Sequence, residues 1–253
     1  MRYLNSQHRL DHGVLGDAKL VLRQMVEEAK MQLGPNGRRN SAAVAGEIKA
    51  VKVEWMKQWM PLLTSDEEPI NPYRVIWDLM HSLDRSQSIV THESGHPRDQ
   101  MVPFFEATSP KGYIGWGRTT QLGYSLGIAL GAQLAAPQKT VVYIMGDASF
   151  GMAGINFETA VRHKIPIITI VLNNGVMSGY GAVQMPVASE LYQANRLGGS
   201  YAKIAEALGE HSERVTRPED VKPAIQRALK VAQGGQPALI EVMTKEENTL
   251  ARI

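Results

Sequence analysis

Asp147 and Asn174 stand 27 residues apart, each just past an apolar run. Thr140 to Met145 is long enough for a buried strand, and Gly146-Asp147-Ala148-Ser149 follows it as a sharp turn of small residues with one carboxylate. Ile165 to Leu172 is a second, β-branched run, bounded by Asn173-Asn174-Gly175. One carboxylate and one amide oxygen, brought together beside a glycine turn that feeds a helix, form an all-oxygen set. Such a set suits a hard cation such as Mg²⁺, which takes few protein oxygens and lets phosphate oxygens supply the rest. A helix N-terminus with free N–H groups would hold the anion. Taken singly, each motif has a plain structural reading: Gly-Asp turns are common after strands, and Asn-Asn-Gly is an ordinary loop. Their joint spacing is what points to a site.

The elements that must position these two residues read as strand, helix, strand. A helical segment runs from about Met152 to His163 and is closed by Lys164 and Pro166, so the unit fits a parallel crossover. Asp147 and Asn174 then lie past the C-terminal ends of their strands, the edge where open α/β sheets bind ligands. The α/β pattern begins at Ile70. Asn71 caps a helix with Pro72 at its first position, extending to about Leu83. Ser88 to Thr91 is a short strand, His92 to Gln100 a loop, and Tyr113 to Gly117 a second glycine-rich passage. Thr120 to Ala135 is a helix whose Gly123, Gly127 and Gly131 would give it a flat face for close packing. Helices at Tyr201–Leu208 and Pro218–Ala232 alternate with strands at Ser212–Val215 and Pro237–Met243.

Upstream, residues 1–13 are polar and irregular. Leu15 to Leu33 reads as a helix with Ala18, Leu22, Met25, Val26 and Ala29 on one face, stopped by Gly34-Pro35-Asn36-Gly37. Residues 38–60 read as a second helix with Val44, Ile48, Val51, Trp55 and Trp59 at helical spacing. The charged break Thr64 to Pro69 marks a domain boundary. The expected architecture is α/β, a parallel sheet flanked by helices over residues 70–253, with a helical linker at 36–69 and an N-terminal helical extension at 1–35.

Composition sets the outer bounds. The chain has 253 residues, 43% hydrophobic and 21% charged, enough for a sizeable core. A net charge of +2, evenly spread, offers no electrostatic footprint for nucleic acid. With no cysteine there is no disulfide, thiolate metal site or thiol nucleophile. No apolar run approaches the roughly 20 residues of a membrane span, and the polar start lacks a signal-peptide core, so a cytoplasmic location is the default expectation.

The Gly146-Asp147 turn followed by Asn173-Asn174 resembles the signature of thiamine-diphosphate enzymes. Residues 70–243 are similar to their diphosphate-binding domain, most of all in the acetolactate synthase-like group, which includes 2-hydroxyacyl-CoA lyases, oxalyl-CoA decarboxylase, benzaldehyde lyase and pyruvate decarboxylase. Phe150-Gly151-Met152 and Glu158-Thr159-Ala160 resemble the acyl-CoA lyase branch. Gly16-Asp17-Ala18, leading into a helix, resembles the closing helix of that group's middle domain, so residues 1–35 would be the tail of such a domain. The resemblance implies a thiamine-diphosphate-binding fold with thiamine diphosphate and Mg²⁺ as cofactors. Asp147, the Asn174 amide oxygen and the Val176 carbonyl would ligate the metal. Gly146 opens the motif, and the N–H groups of Ala148, where the family usually has Gly, and Ser149 would meet the diphosphate. His96 would also contact it, with Gly95 allowing the backbone to approach. Leu122 would wedge between the two cofactor rings, the Thr120 carbonyl would face the aminopyrimidine amine, and Met177 and Tyr180 would line the pocket. Each has a plainer counterpart: Leu122 a core leucine, His96 a surface histidine, Met177 and Tyr180 an ordered loop. Glu93 reads as a loop or sheet-end carboxylate, Arg98-Asp99 as an ion pair and His163 as solvent-facing.

In this family a glutamate on a separate pyrimidine-binding domain drives activation of the cofactor. Residues 1–69 lack the strands and length for that domain, so no catalytic residue is expected in this chain. The resemblance therefore implies a partner chain carrying that domain, in a heterotetramer, with the start at Met1 and the unpaired helix at Leu15–Leu33 fitting a split gene. The implied activity is C–C lysis or carboligation on a 2-oxo acid or a 2-hydroxyacyl(-CoA) substrate. A non-catalytic scaffold or regulatory relative is the alternative, although a scaffold has no use for Asp147, Asn173 and Asn174. Gly115-x-Gly117 is a weak sign of nicotinamide binding, because Thr120 fills the third glycine position.

Overall fold

The computed structural model describes residues 9–38, 40–115, 121–178 and 184–251. The chain divides into two compact units, residues 1–58 and 59–253. Among the described residues no helix is long and apolar enough to cross a membrane.

The first unit is helical. α1 (Ala18–Leu33) starts three residues later than its apolar pattern suggests, because the Asp17 side chain accepts the Leu20 N–H at 3.0 Å and caps it there. α1 buries none of its residues, and Leu22, Met25 and Val26 of its apolar face are exposed. α2 (Ser41–Leu63) begins in this unit and ends in the second, with Pro61 in its last turn.

The second unit runs through α3 (Pro72–Met80), β1 (Ser88–His92), α4 (His96–Met101), β2 (Tyr113–Ile114), α5 (Tyr124–Ala135), β3 (Thr140–Gly146) and α6 (Asp147–Ala153). A 3₁₀ turn at Gly154–Asn156 leads to α7 (Phe157–Arg162), β4 (Ile168–Asn173), α8 (Pro186–Tyr192), α9 (Tyr201–Ala207), β5 (His211–Val215), α10 (Pro218–Gln233) and β6 (Ala238–Met243). The six strands form one sheet in the order β2-β1-β3-β4-β6-β5, and every pairing is parallel. The expected parallel sheet flanked by helices is therefore what forms. β1, β4 and the interior of β3 are buried throughout, since helices cover both faces, and this is why they read as unbroken apolar runs. Tyr143, Met145, Val171 and Leu239 meet Leu126 and Ala129 of α5, Phe150 and Phe157, and Tyr201 and Ala205 of α9 in one core cluster. The connection direction reverses between β1 and β3, which makes the crevice at their C-terminal ends the switch point of the sheet.

Several local expectations change. The turn expected at Gly146–Ser149 is already the first turn of α6, with Gly146 as its N-cap, and the single helix expected from Met152 to His163 is broken at Gly154. A side chain there would collide with the Phe150 ring, 2.4 Å from where its Cβ would stand, so the bend and the aromatic packing go together. The loop expected at His92–Gln100 contains the last residue of β1 and most of α4. β2 and α8 were not foreseen. The glycine face of α5 does not pack as expected. Gly123 approaches Ala153, but Gly127 and Gly131 have nothing nearby among the described residues, because the helix buries Ser125, Leu126, Ala129 and Gln133 instead.

Candidate functional site

A cavity of about 470 Å³ opens over the C-terminal ends of the strands. Gly95 and His96 after β1, Gly146, Asp147, Ala148 and Ser149 at the β3–α6 junction, and Asn174, Val176 and Met177 after β4 all line it, as does Leu122 before α5. Ten expected site residues thus surround one space. Thr120, the eleventh, lies outside the described residues, as does Tyr180. Gln100, Gln121, Ser178 and Lys245 also line the cavity and were not singled out in the sequence.

The Asp147 side chain is 3% exposed and ties two loops together. Its Oδ1 accepts the Ala148 N–H at 2.8 Å and its Oδ2 accepts the Gly175 N–H at 2.8 Å. Burial pushes the Asp147 carboxyl above its usual range, against the lowering effect of the N–H groups of Ala148, Gly175 and Asn174. The turn after β4 is built from two successive Asx turns: Asn173 Oδ1 accepts the Gly175 N–H at 3.2 Å and Asn174 Oδ1 accepts the Val176 N–H at 3.1 Å. Gly175 sits at φ 70°, in the left-handed region that a side chain disfavours. The Leu197 N–H donates to the Gly175 carbonyl at 2.9 Å and the Met177 N–H to the Asn195 carbonyl at 2.7 Å, so the segment after α8 braces the turn.

The opposite wall is fixed by Glu93, which is fully buried. Its carboxylate accepts the N–H groups of Gly123 and Ser125, each at 3.0 Å, and the Tyr143 hydroxyl at 2.6 Å. Glu93 thereby anchors the first turn of α5, directly after Leu122. It is the sheet-end carboxylate its position suggested, with a clamping role its position did not reveal. Burial lowers the His96 imidazole below its ordinary range, and His96 Nδ1 is a buried nitrogen without a hydrogen-bond partner among the described residues.

These features fit a phosphate-bearing cofactor and a hard cation. An orphaned imidazole nitrogen lies at the cavity, and a carboxylate faces burial that a cation would offset. The Asn174 amide oxygen has a second lone pair beyond the one used by Val176. Among the described residues no three His, Cys, Asp or Glu side chains gather into a metal cluster. The cavity instead offers one carboxylate, Asp147, and one amide oxygen, Asn174, hard oxygen groups of the kind that suit Mg²⁺.

Residues 93–242 match the family model described as "Thiamine pyrophosphate enzyme, C-terminal TPP binding domain". The chain is 32% identical to the acetolactate synthase large subunit of Mycobacterium tuberculosis, over 72% of this chain and 33% of that protein. It is 26% identical to a probable acetolactate synthase large subunit of Methanocaldococcus jannaschii, over 97% of this chain and 41% of that protein. It is 27% identical to the 2-hydroxyacyl-CoA lyase of Arabidopsis thaliana, over 91% of this chain and 41% of that protein. The chain thus spans between a third and about two fifths of the length of these relatives. With the sheet, the cavity, Asp147 and Asn174 already in view, this chain belongs to the thiamine-diphosphate (pyrophosphate) enzyme family, and its residues 93–242 are that family's C-terminal TPP binding domain.

Proposed function

We propose that this chain is the diphosphate-binding subunit of a thiamine-diphosphate-dependent C–C lyase or carboligase, acting on a 2-oxo acid or a 2-hydroxyacyl compound. The observation that carries the reading is the meeting of Asp147 and the Asn174 turn at the cavity through the Gly175 N–H. In this reading Asp147, the Asn174 amide oxygen and the Val176 carbonyl hold Mg²⁺. Gly146, Ala148, Ser149, Gly95 and His96 surround the diphosphate, and Leu122 and Met177 border the rings. Bound thiamine diphosphate would supply the electron sink for making or breaking the C–C bond. This chain's residues bind and orient it and keep water from the diphosphate end.

Among the described residues lining the cavity, Asp147 is the only carboxylate, and it already accepts two backbone N–H groups. The reading therefore assigns proton transfer to a glutamate of a partner chain, which also supplies the length that the relatives carry beyond the matched share. Met152 at the cavity, with Ile155, Tyr124 and Leu134, is apolar and exposed, the character of a surface that another chain covers.

Calorimetric titration of thiamine diphosphate with Mg²⁺, into this chain alone and co-expressed with the product of the adjacent gene, tests the proposal. Tight binding with the partner is expected. Asp147→Ala should weaken it by about 100-fold or more, since even outer partners of metal ligands are worth 10- to 100-fold. No binding in either arrangement, or a variant that binds like the wild type, would overturn the reading and leave a scaffold that keeps the fold.

A further inference from the structure

Glu241 is the one charged residue within the apolar run of β6, and it is fully buried. A charge in a strand covered on both faces needs partners, and those of Glu241 lead toward the candidate metal site. One carboxylate oxygen accepts the Asn173 Nδ2–H at 2.7 Å, and the other accepts the Ala202 N–H at the start of α9 at 3.0 Å. Arg214 Nε lies 3.9 Å away. The far side of the Asn173 amide presents its oxygen to the Gly175 N–H at 3.2 Å. Only this amide orientation suits both neighbours, because the carboxylate can only accept and the backbone N–H can only donate. The Gly175 N–H is shared with Asp147 Oδ2. A continuous chain of hydrogen bonds thus runs from β6 through Asn173 and Gly175 to Asp147.

We infer that Glu241 is a positioning residue for the cofactor site: through the Asn173 amide it sets the turn carrying Asn174 and Val176 against Asp147, an inference that rests on the function proposed above. Glu241→Gln keeps the shape and breaks the chain. The site needs two acceptors, and an amide offers one acceptor and one donor. Either the Ala202 N–H loses its partner, or the Asn173 amide turns over and presents its own N–H to that of Gly175. Asn173→Asp alone places two carboxylates face to face. The two changes together reverse the polarity and restore every bond. The introduced amide then donates to the introduced carboxylate, which accepts the Gly175 N–H, and the remaining amide oxygen accepts the Ala202 N–H.

The test uses the full chain with its partner, in wild type, E241Q, N173D and the double variant. Hydrogen–deuterium exchange across residues 173–177 is measured without cofactor. Mn²⁺ binding in the presence of thiamine diphosphate is followed by electron paramagnetic resonance. Exchange in E241Q and N173D should speed up about tenfold, the effect of losing one hydrogen bond. Mn²⁺ affinity in E241Q should fall about 10- to 100-fold, as for other outer partners of metal ligands. The double variant should return to wild-type exchange and bind Mn²⁺ at or above wild-type affinity. A merely structural Glu241 would lower the melting midpoint in all three variants without that rescue. A double variant as impaired as the singles, or an E241Q chain with unchanged exchange and affinity, would overturn the inference. A wild type that binds no Mn²⁺ would sink the functional reading instead, while the exchange arm would still decide whether Glu241 holds the turn.

Discussion

The two edges of the sheet treat buried glutamates in opposite ways. At the C-terminal edge Glu93 is fully buried and accepts the N–H groups of Gly123 and Ser125 and the Tyr143 hydroxyl. At the opposite edge Glu210, which immediately precedes β5, is 4% exposed, and neither of its oxygens has a hydrogen-bond partner among the described residues. The residue type is the same and the burial nearly so. The difference is whether the chain brings donors to the carboxylate, because an isolated buried charge is costly whereas a solvated one gives structure to its surroundings. The cavity lies on the edge where donors converge.

Removing the partnered carboxylate should have the largest effect. Glu93→Ala leaves three backbone N–H groups, those of Ser94, Gly123 and Ser125, and one hydroxyl without their acceptor. At about 1–3 kcal/mol for each orphaned group, the variant should lose about 3–5 kcal/mol in denaturant titrations. Glu93→Gln, which keeps an acceptor, should lose less. A loss below about 1 kcal/mol in the alanine variant would mean that the N-terminus of α5 is held by its packing alone, and the contrast between the two edges would disappear.

The unpartnered carboxylate should show itself through pH. Burial pushes the Glu210 carboxyl up from its ordinary 4.5 to about 8. The folded protein keeps a proton that the unfolded chain releases above pH 4.5. Its contribution to stability is therefore complete below that pH, declines as pH rises toward 8 and has nothing further to lose beyond. Within the window the slope is at most about 1.4 kcal/mol per pH unit. Glu210→Gln cannot lose that proton, so its stability profile should be flatter than the wild type's between pH 5 and 8. Parallel profiles would show that donors reach Glu210 in solution and would bring the two edges closer in kind.

The same contrast explains what the sequence made legible. β1, β3, β4 and β6 stood out because parallel strands covered on both faces must be apolar throughout. Asp147 and Asn174 stood out because each lies beside the strand end that carries it, so their motifs are local. α6 was misread as a turn, since Gly-Asp-Ala-Ser carries turn chemistry and only its packing makes it helical. The glycines of α5 suggested a packing face, and the helix buries another. Glu93 reaches Gly123 and Ser125 across 30 and 32 residues, and Glu241 reaches Asn173 across 68. No local pattern encodes such pairings, because they follow from strand order. One signal was present: a glutamate inside Ala238–Met243 and a tyrosine inside Thr140–Gly146 interrupt apolar runs, and a polar group there must find a partner.

That tyrosine gives the smallest and most selective test of the clamp. Tyr143 donates its hydroxyl to Glu93 Oε1 at 2.6 Å, and burial first, then the Glu93 charge, raises its phenol well above the usual range. Tyr143→Phe removes one donor and keeps the ring that packs in the core. Glu93 retains the backbone N–H groups of Gly123 and Ser125, so the expected loss is about 1 kcal/mol, a single net hydrogen bond. If the clamp acts through α5, the cofactor affinity of this variant should stay near the wild type's, because Leu122 is fixed by the Gly123 and Ser125 bonds and not by the phenol. Combining it with Glu93→Gln in a double-mutant cycle would isolate the coupling between the two side chains. A cofactor affinity that falls with Tyr143→Phe as far as with Asp147→Ala would mean that the hydroxyl, and not the backbone, transmits Glu93 to the cavity.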